Sequence, residues 1–228
     1  AATRVNAQGL VENVQILSSN LVQNGDFSEE GVQEVSNGSF SQEGAELITN
    51  GDFATDSDWV LTQATISGGT ANLSTTDGSL TSIVQNVTTL GKTYYFSIDV
   101  SNIVGEIEFS AIAGLGVYST ISSNGTHTGY FTSLHPSIEI KRKFGITNVS
   151  ATIDNVSCVE VGQDWTLGTG WSIGEDKAII DNTVNASLDQ TCLTSGKTYK
   201  VSFEISDLQA GGNITIGDIV TPSAYTST

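Results

Sequence analysis

The amino-acid sequence predicts an all-β fold: tandem antiparallel sandwiches behind an N-terminal arm of short repeated strands. Three observations carry this prediction. Alternating apolar and polar runs recur along the chain, while helical periodicity is almost absent. Polar, glycine-containing turn signals separate those runs. The chain also repeats itself on two length scales, which marks a modular structural or binding protein rather than one irregular catalytic cleft.

Residues 1–46 are expected to form the arm. A 13-residue unit occurs three times: Val22, Asn24, Gly25 and Phe27 recur as Val35, Asn37, Gly38 and Phe40, then as Ile48, Asn50, Gly51 and Phe53. Thirteen is odd, so identical faces cannot run through an unbroken strand, and each copy needs a turn or bulge. Asn-Gly is expected to supply positive φ. Glu30-Gly31 and Glu43-Gly44 are expected to supply a second bend. Phe27, Phe40 and Phe53 would anchor the copies in a core. Two arrangements fit. The spare copies stack as small hairpins, or they pair with an open sheet edge in the same chain or a neighbour.

Residues 47–161 are expected to form the first sandwich. Tyr94, Phe96, Ile98 and Val100 share one face of a strand. Glu106-Ile107-Glu108-Phe109 and Ser137-Ile138-Glu139-Ile140 alternate too, and residues 152–161 read as a long strand. Turn signals stand between them at Ser67-Gly68-Gly69, Asp77-Gly78, Leu90-Gly91-Lys92 and Ser123-Asn124-Gly125.

Residues 162–228 restart the pattern. Asp58-Trp59 returns as Asp164-Trp165, Gln85 as Gln190, and Gly91-Lys92-Thr93-Tyr94 as Gly196-Lys197-Thr198-Tyr199. Tyr199, Val201, Phe203 and Ile205 copy the inward face of the first module. No Asn-Gly-Asp-Phe unit directly precedes Asp164-Trp165, and residues 162–228 hold no counterpart of Ile153-Asp154-Asn155-Val156. The second sandwich is therefore expected to be incomplete.

Composition narrows the function classes. The formal charge is −17, from 25 acidic and 8 basic residues. Phosphate binding calls for a basic face, so nucleic acid is an unfavourable partner. Acidity also weakens adhesion to anionic membranes, and no window approaches the ~20 apolar residues of a spanning helix. Lys141-Arg142-Lys143, the only basic run, reads as a solvated edge. Cys158 and Cys192 match no zinc or redox spacing; Cys192 takes the place of Val87, so two buried thiols are expected rather than a disulfide. No nucleophile elbow, His-Glu-x-x-His or phosphate-cradling loop occurs, and His127 and His135 lie in or near Gly/Ser/Thr-rich loops. The expectation is a protein without catalytic activity.

The segment of residues 47–58 (LITNGDFATDSD), followed by Trp59, Gly91-Lys92-Thr93-Tyr94 and Ile153-Asp154-Asn155-Val156-Ser157, resembles carbohydrate-binding-module-like jelly rolls with a galactose-binding-type fold. The tandem NGDFSEEG and NGSFSQEG units and the leading residues 2–12 look like bacteriophage virion proteins: tail fibres, head fibres or capsid decorations. The resemblance implies a structural protein at the virion surface, extracellular to any cell. It implies a homo-oligomer, a trimer above all, that meets other virion proteins and host surface glycans. It also implies a structural calcium where the first strand meets the last, at Asp154 with Asn50 and Asp52. Taken without calcium, Asp154-Asn155 is a polar step in a strand and Asp52 caps a turn. The alternative setting is a secreted bacterial carbohydrate-binding module or adhesin fragment.

Glycan binding needs an aromatic face beside hydrogen-bonding groups. Trp59 and Trp165 occupy equivalent positions and are expected in cores. Trp171 has no aromatic counterpart, so it forms a surface platform or fills a different core. Tyr118 and Tyr130 lie near turns. Tyr130 and Phe131 are adjacent on one strand and face opposite ways, one inward and one outward.

Overall fold

The computed structural model describes residues 3–13, 26, 28–180, 186–207, 215–216 and 219–220. The chain divides into two units, Ala1–Glu34 and Val35–Thr228. In the first, β1 (Thr3–Val5) pairs antiparallel with β2 (Val11–Asn13). Asn6 makes the turn, its side-chain oxygen accepting the backbone N–H groups of Gln8 and Leu10 at 3.1 and 3.0 Å. The first repeat, with Val22, Asn24, Gly25 and Phe27, lies outside the described residues apart from Asp26 and the positions after Phe27.

The second unit holds one two-sheet sandwich and several short pairs. Its strands are β3 (Glu43–Glu46), β4 (Val60–Thr62), β5 (Ala64–Ser67), β6 (Thr70–Thr75), β7 (Ser82–Asn86) and β8 (Thr93–Val104). They continue with β9 (Ile107–Ala111), β10 (Gly116–Ile121), β11 (Gly125–Thr132), β12 (Ser137–Arg142) and β13 (Val149–Val161). One sheet runs β10-β9-β12-β7-β4. The other runs β11-β8-β13-β6-β5, and β3 joins it on β13. Beyond lie three short antiparallel pairs: β14 (Thr166–Leu167) with β17 (Leu188–Asp189), β15 (Trp171–Gly174) with β16 (Lys177–Ile180), and β18 (Thr215–Ile216) with β19 (Ile219–Val220).

The alternation seen in the sequence builds the core. Tyr94, Phe96, Ile98 and Val100 of β8 meet Ile107 and Phe109 of β9, Ile138 and Ile140 of β12, and Ile83 of β7. Phe96 and Phe109 lie 4.4 Å apart between ring centroids, and Phe131 meets Phe109 edge-on at 5.2 Å. On β13, Ile153 and Val156 are both buried although three residues apart. Asn155 makes this possible: its φ is 47°, and the register against β8 shifts between Asp154 and Ser157. This β-bulge resets which residues face inward.

The two 13-residue copies within the described residues each clasp a module in the same way. The Asn50 turn closes with the Phe53 N–H donating to Asn50 O at 3.2 Å. The Trp59 indole N–H donates to Asn50 O at 3.1 Å, and the Phe53 and Trp59 rings lie 5.4 Å apart. Gln85 brackets the strap: its side-chain oxygen accepts Thr49 N–H, and its side-chain N–H group donates to Thr49 O and Asp58 O. The Asn37 turn repeats every part. Phe40 N–H donates to Asn37 O, and the Trp165 indole donates to Asn37 O at 3.0 Å. Phe40 and Trp165 lie 5.2 Å apart, and Gln190 brackets Ser36 N, Ser36 O and Asp164 O. The second repeat is therefore the missing first segment of the second module, reached across 154 residues of chain.

Several expectations change. Residues 35–46 pack with the modules: Phe40 docks on Trp165 and β3 pairs with β13. The Asn-Gly pairs do supply positive φ, at Asn37 and Asn50 rather than at Gly38 and Gly51, and Phe40 and Phe53 share it. Gly51 is needed for space: a Cβ there would lie 2.0 Å from Val156 O. Gly44 makes no bend; it sits in β3, where a Cβ would come within 2.8 Å of the Gln163 side chain. Residues 199–205 join no sheet among the described residues. The basic run is not an edge. It lies at the end of β12, an inner strand, where Lys141 pairs with Glu139 and Lys143 with Glu106, at 3.0 and 2.7 Å. Cys158 and Cys192 are free thiols; Cys158 is buried, whereas Cys192 is half-buried like Val87.

Candidate functional site

The outer face of the six-stranded sheet carries the most promising group of side chains. β8 and β11 pair in register, with Tyr130 opposite Tyr95, Thr128 opposite Ser97 and Thr126 opposite Asp99. Alternation sends Tyr94, Phe96 and Phe131 into the core and these residues outward. The Tyr95 and Tyr130 rings lie 5.0 Å apart at 52°, and Tyr130 is 41% exposed. Tyr130 also flanks Gly174 of β15, where a Cβ would meet its ring at 3.5 Å.

Two rungs along, Asp99 anchors a polar cluster. Its carboxylate accepts the Thr126 hydroxyl at 2.6 Å and the Asn155 side-chain N–H at 2.9 Å. Those bonds, the Thr126 hydroxyl first and Asn155 second, hold its pKa below the usual aspartate value. The group stays ionised at neutral pH and keeps acceptor lone pairs facing solvent. Ser157 and Thr152 extend the polar strip on β13, bonded to Glu46 and Asn72. The strip thus offers aromatic rings at one end and carboxylate, hydroxyl and amide groups at the other.

Of the residues singled out by sequence, Tyr130 belongs to this face. Tyr118 lies elsewhere: its ring packs on Phe131 at 4.3 Å and Phe109 at 5.5 Å, and its hydroxyl accepts Leu134 N–H at 2.9 Å. Burial raises its pKa. Trp171, on β15, is half-buried and donates its indole N–H to Ala186 O at 3.0 Å. Sequence reasoning passed over Tyr95, Asp99 and Asn155. The signal was present in β8, whose outward positions alternate with the apolar set already recognised.

Of the residues to which the resemblance assigns calcium, Asn50 and Asp52 flank the turn whose Gly51 bonds β13, and Asp154 lies on β13. There Gly51 O accepts Val156 N–H at 2.9 Å. Their oxygens have other work, however. Asn50 Oδ1 accepts Thr55 N–H, Asp52 Oδ1 accepts Ala54 N–H, and Asp154 Oδ1 accepts Asn155 N–H. Among the described residues no three His, Cys, Asp or Glu side chains gather into a metal-binding group. The three residues do not by themselves form a cage of the six to eight oxygens calcium takes.

A cleft of about 210 Å³ lies where the modules meet, lined by Leu90, Lys92, Val161, Trp165 and Leu167 among others. Lys92 is its one charged lining residue and is paired with Glu160 at 3.2 Å. No carboxylate pair converges there. No helix of the described residues is long and apolar enough to cross a membrane.

No family model matches the chain, and no curated protein matches it either. Comparison with solved structures finds weak similarities over about half of the chain. The enzymatically active domain of tailspike protein 4 of bacteriophage CBA120 is 16% identical with a TM-score of 0.33, and the match covers 50% of this chain and 21% of that one. A point mutant of the family 29 carbohydrate binding module CBM29-2 is 15% identical with a TM-score of 0.35, covering 51% and 89%. The family 61 module TmCBM61, solved with β-1,4-galactotriose, is 10% identical with a TM-score of 0.34, covering 50% and 97%. What those proteins bind or cleave says nothing about this chain.

Proposed function

We propose that this chain is a non-catalytic surface protein that contacts glycans through the outer face of its six-stranded sheet. The observation that carries the reading is the Tyr95–Tyr130 pair, open to solvent and continuous with the Thr126–Asp99–Asn155 cluster. An aromatic ring takes the apolar face of a pyranose, while carboxylate and hydroxyl groups take its equatorial hydroxyls. Tyr118 and Trp171 have packing and hydrogen-bonding duties that leave them outside this contact. The setting we propose, from sequence resemblance, is a virion fibre or capsid decoration in which a homotrimer multiplies a weak contact into avidity.

A glycan array probed with the full chain tests this. Binding that falls at least tenfold in Tyr130→Ala, with melting unchanged, supports the reading. No binding to any glycan, or binding indifferent to Tyr130→Ala and Asp99→Ala, sinks it and leaves a purely structural subunit. Calcium would have to draw on Asp52 and Asp154 together with backbone carbonyls and water. A melting temperature raised by calcium and lowered again by chelator tests that part.

A further inference from the structure

Two surface features lie at opposite ends of the first module, and one is shaped to receive the other. The first is a knob. Phe144 stands at the tip of the turn between β12 and β13 and is 89% exposed. The turn is braced to hold it there. Ile146 N–H donates to Lys143 O at 3.3 Å, and Gly145 takes the positive φ, 86°, that such a turn needs after its first central residue. Behind it the Arg142 guanidinium donates to Ser79 O at 2.9 Å, Lys143 O at 3.1 Å and Ile146 O at 3.3 Å. These bonds tie two neighbouring loops together under the ring. An aromatic side chain presented on a braced turn loses little freedom on docking, and such anchors dominate contacts between proteins.

The second feature is a hole. The cleft of about 210 Å³ beside Trp165 has Leu90, Val161 and Leu167 as its aliphatic wall. A cavity of roughly 150 Å³ already takes a benzene ring, so a phenylalanine side chain fits. The Trp165 indole N–H is given to Asn37 O, which leaves the ring free to meet another aromatic ring with no unmet donor. Leu90 is 64% exposed and stands at the mouth. Leu90 precedes β8 and Val161 ends β13, whereas Phe144 precedes β13 and its neighbour Lys143 bonds Glu106, just past the end of β8. The 12 residues of β8, at ~3.3 Å each, set knob and hole roughly 40 Å apart, so no copy fills its own cleft.

We propose that Phe144 of one copy seats in the Trp165 cleft of the next, a head-to-tail contact between copies of this chain. Charge favours this pairing of ends. Arg142, behind the knob, pairs with no carboxylate among the described residues, and the exposed Asp164, next to Trp165, is in no ion pair among them. In a chain of net charge −17, a cation brought to face an acid selects the one approach that is not repulsive. A contact between unlike surfaces leaves each copy with a free knob or a free hole, so it closes into a ring or runs on as a filament. It makes no use of the Tyr95–Tyr130 pair, so its failure would leave the glycan reading untouched.

Sedimentation velocity of the full chain over a concentration series is expected to show reversible self-association. Phe144→Ser and Leu90→Glu, both at exposed positions, should each weaken it at least tenfold while circular dichroism and melting stay unchanged. The two variants mixed in equal amounts should form a dimer, because one supplies an intact cleft and the other an intact knob. A chain that stays monomeric, association indifferent to Phe144→Ser, or a mixture no more associated than its components overturns the proposal. So does a monomer that co-sediments with phosphatidylcholine vesicles and loses them on Phe144→Ser, which would place the ring in lipid.

Discussion

Replacing Gly51 and Gly38 by alanine, one at a time, separates two explanations of the repeated glycine. If Gly were present for a left-handed turn, both changes would cost alike. Neither glycine has positive φ, and the surroundings differ. At Gly51 the new Cβ would sit 2.0 Å from a backbone carbonyl, so β13 or the strap must move. Overpacking of this kind costs roughly 1–3 kcal/mol. The displaced Gly51–Val156 hydrogen bond adds about 0.5–1.5 kcal/mol. At Gly38 the nearest atom among the described residues is 3.4 Å away, so alanine is tolerated and gains up to ~1 kcal/mol by stiffening the unfolded chain. Urea unfolding, followed through the fluorescence of Trp59 beside Phe53, reads the first module. Gly51→Ala should lower its midpoint by about 1–2 M for a slope of ~2 kcal/mol/M, and Gly38→Ala should leave it in place. Equal midpoint shifts would refute the argument from space.

The glutamine brackets should differ in the same sense. Gln85→Ala strips three hydrogen bonds from a buried site and should cost about 2–4 kcal/mol; Gln190→Ala, at a more open site, about 1–2 kcal/mol. Equal losses by denaturant titration would count against the clasp as a buried device. Burial, and next the Glu46 carboxylate, pushes the Cys158 thiol from its ordinary 9.0 up to about 12. At pH 8 iodoacetamide should therefore label Cys192 in the native chain and reach Cys158 only in denaturant. Because the folded form holds that proton while the unfolded form releases it, this contribution to stability is intact below pH 9. It declines between pH 9 and 12. Native labelling of Cys158 at pH 8 would contradict its placement.

The sequence by itself determined most of the sheet of the first module, though it read a strand at 199–205 and a bend at Gly44 where the structure has neither. Alternation at Tyr94, Phe96, Ile98 and Val100 names a core face without any knowledge of what covers it, because side chains alternate along any strand. The repeat alignment likewise equated Trp59 with Trp165 and Gln85 with Gln190, and the structure gives each pair the same bonds. Tertiary structure alone decided which strap serves which module. The Asn50 strap docks 36 residues away on Gln85, and the Asn37 strap 154 residues away on Gln190. Local propensity is blind to such closures, since loop entropy grows only slowly with length and contact chemistry decides between partners. The same holds for the Asn155 bulge, which moves Val156 into the core, and for Tyr95 and Tyr130, whose pairing is set by the register of β8 against β11. A strand's faces are written in its own residues; its neighbours are chosen when the chain closes on itself.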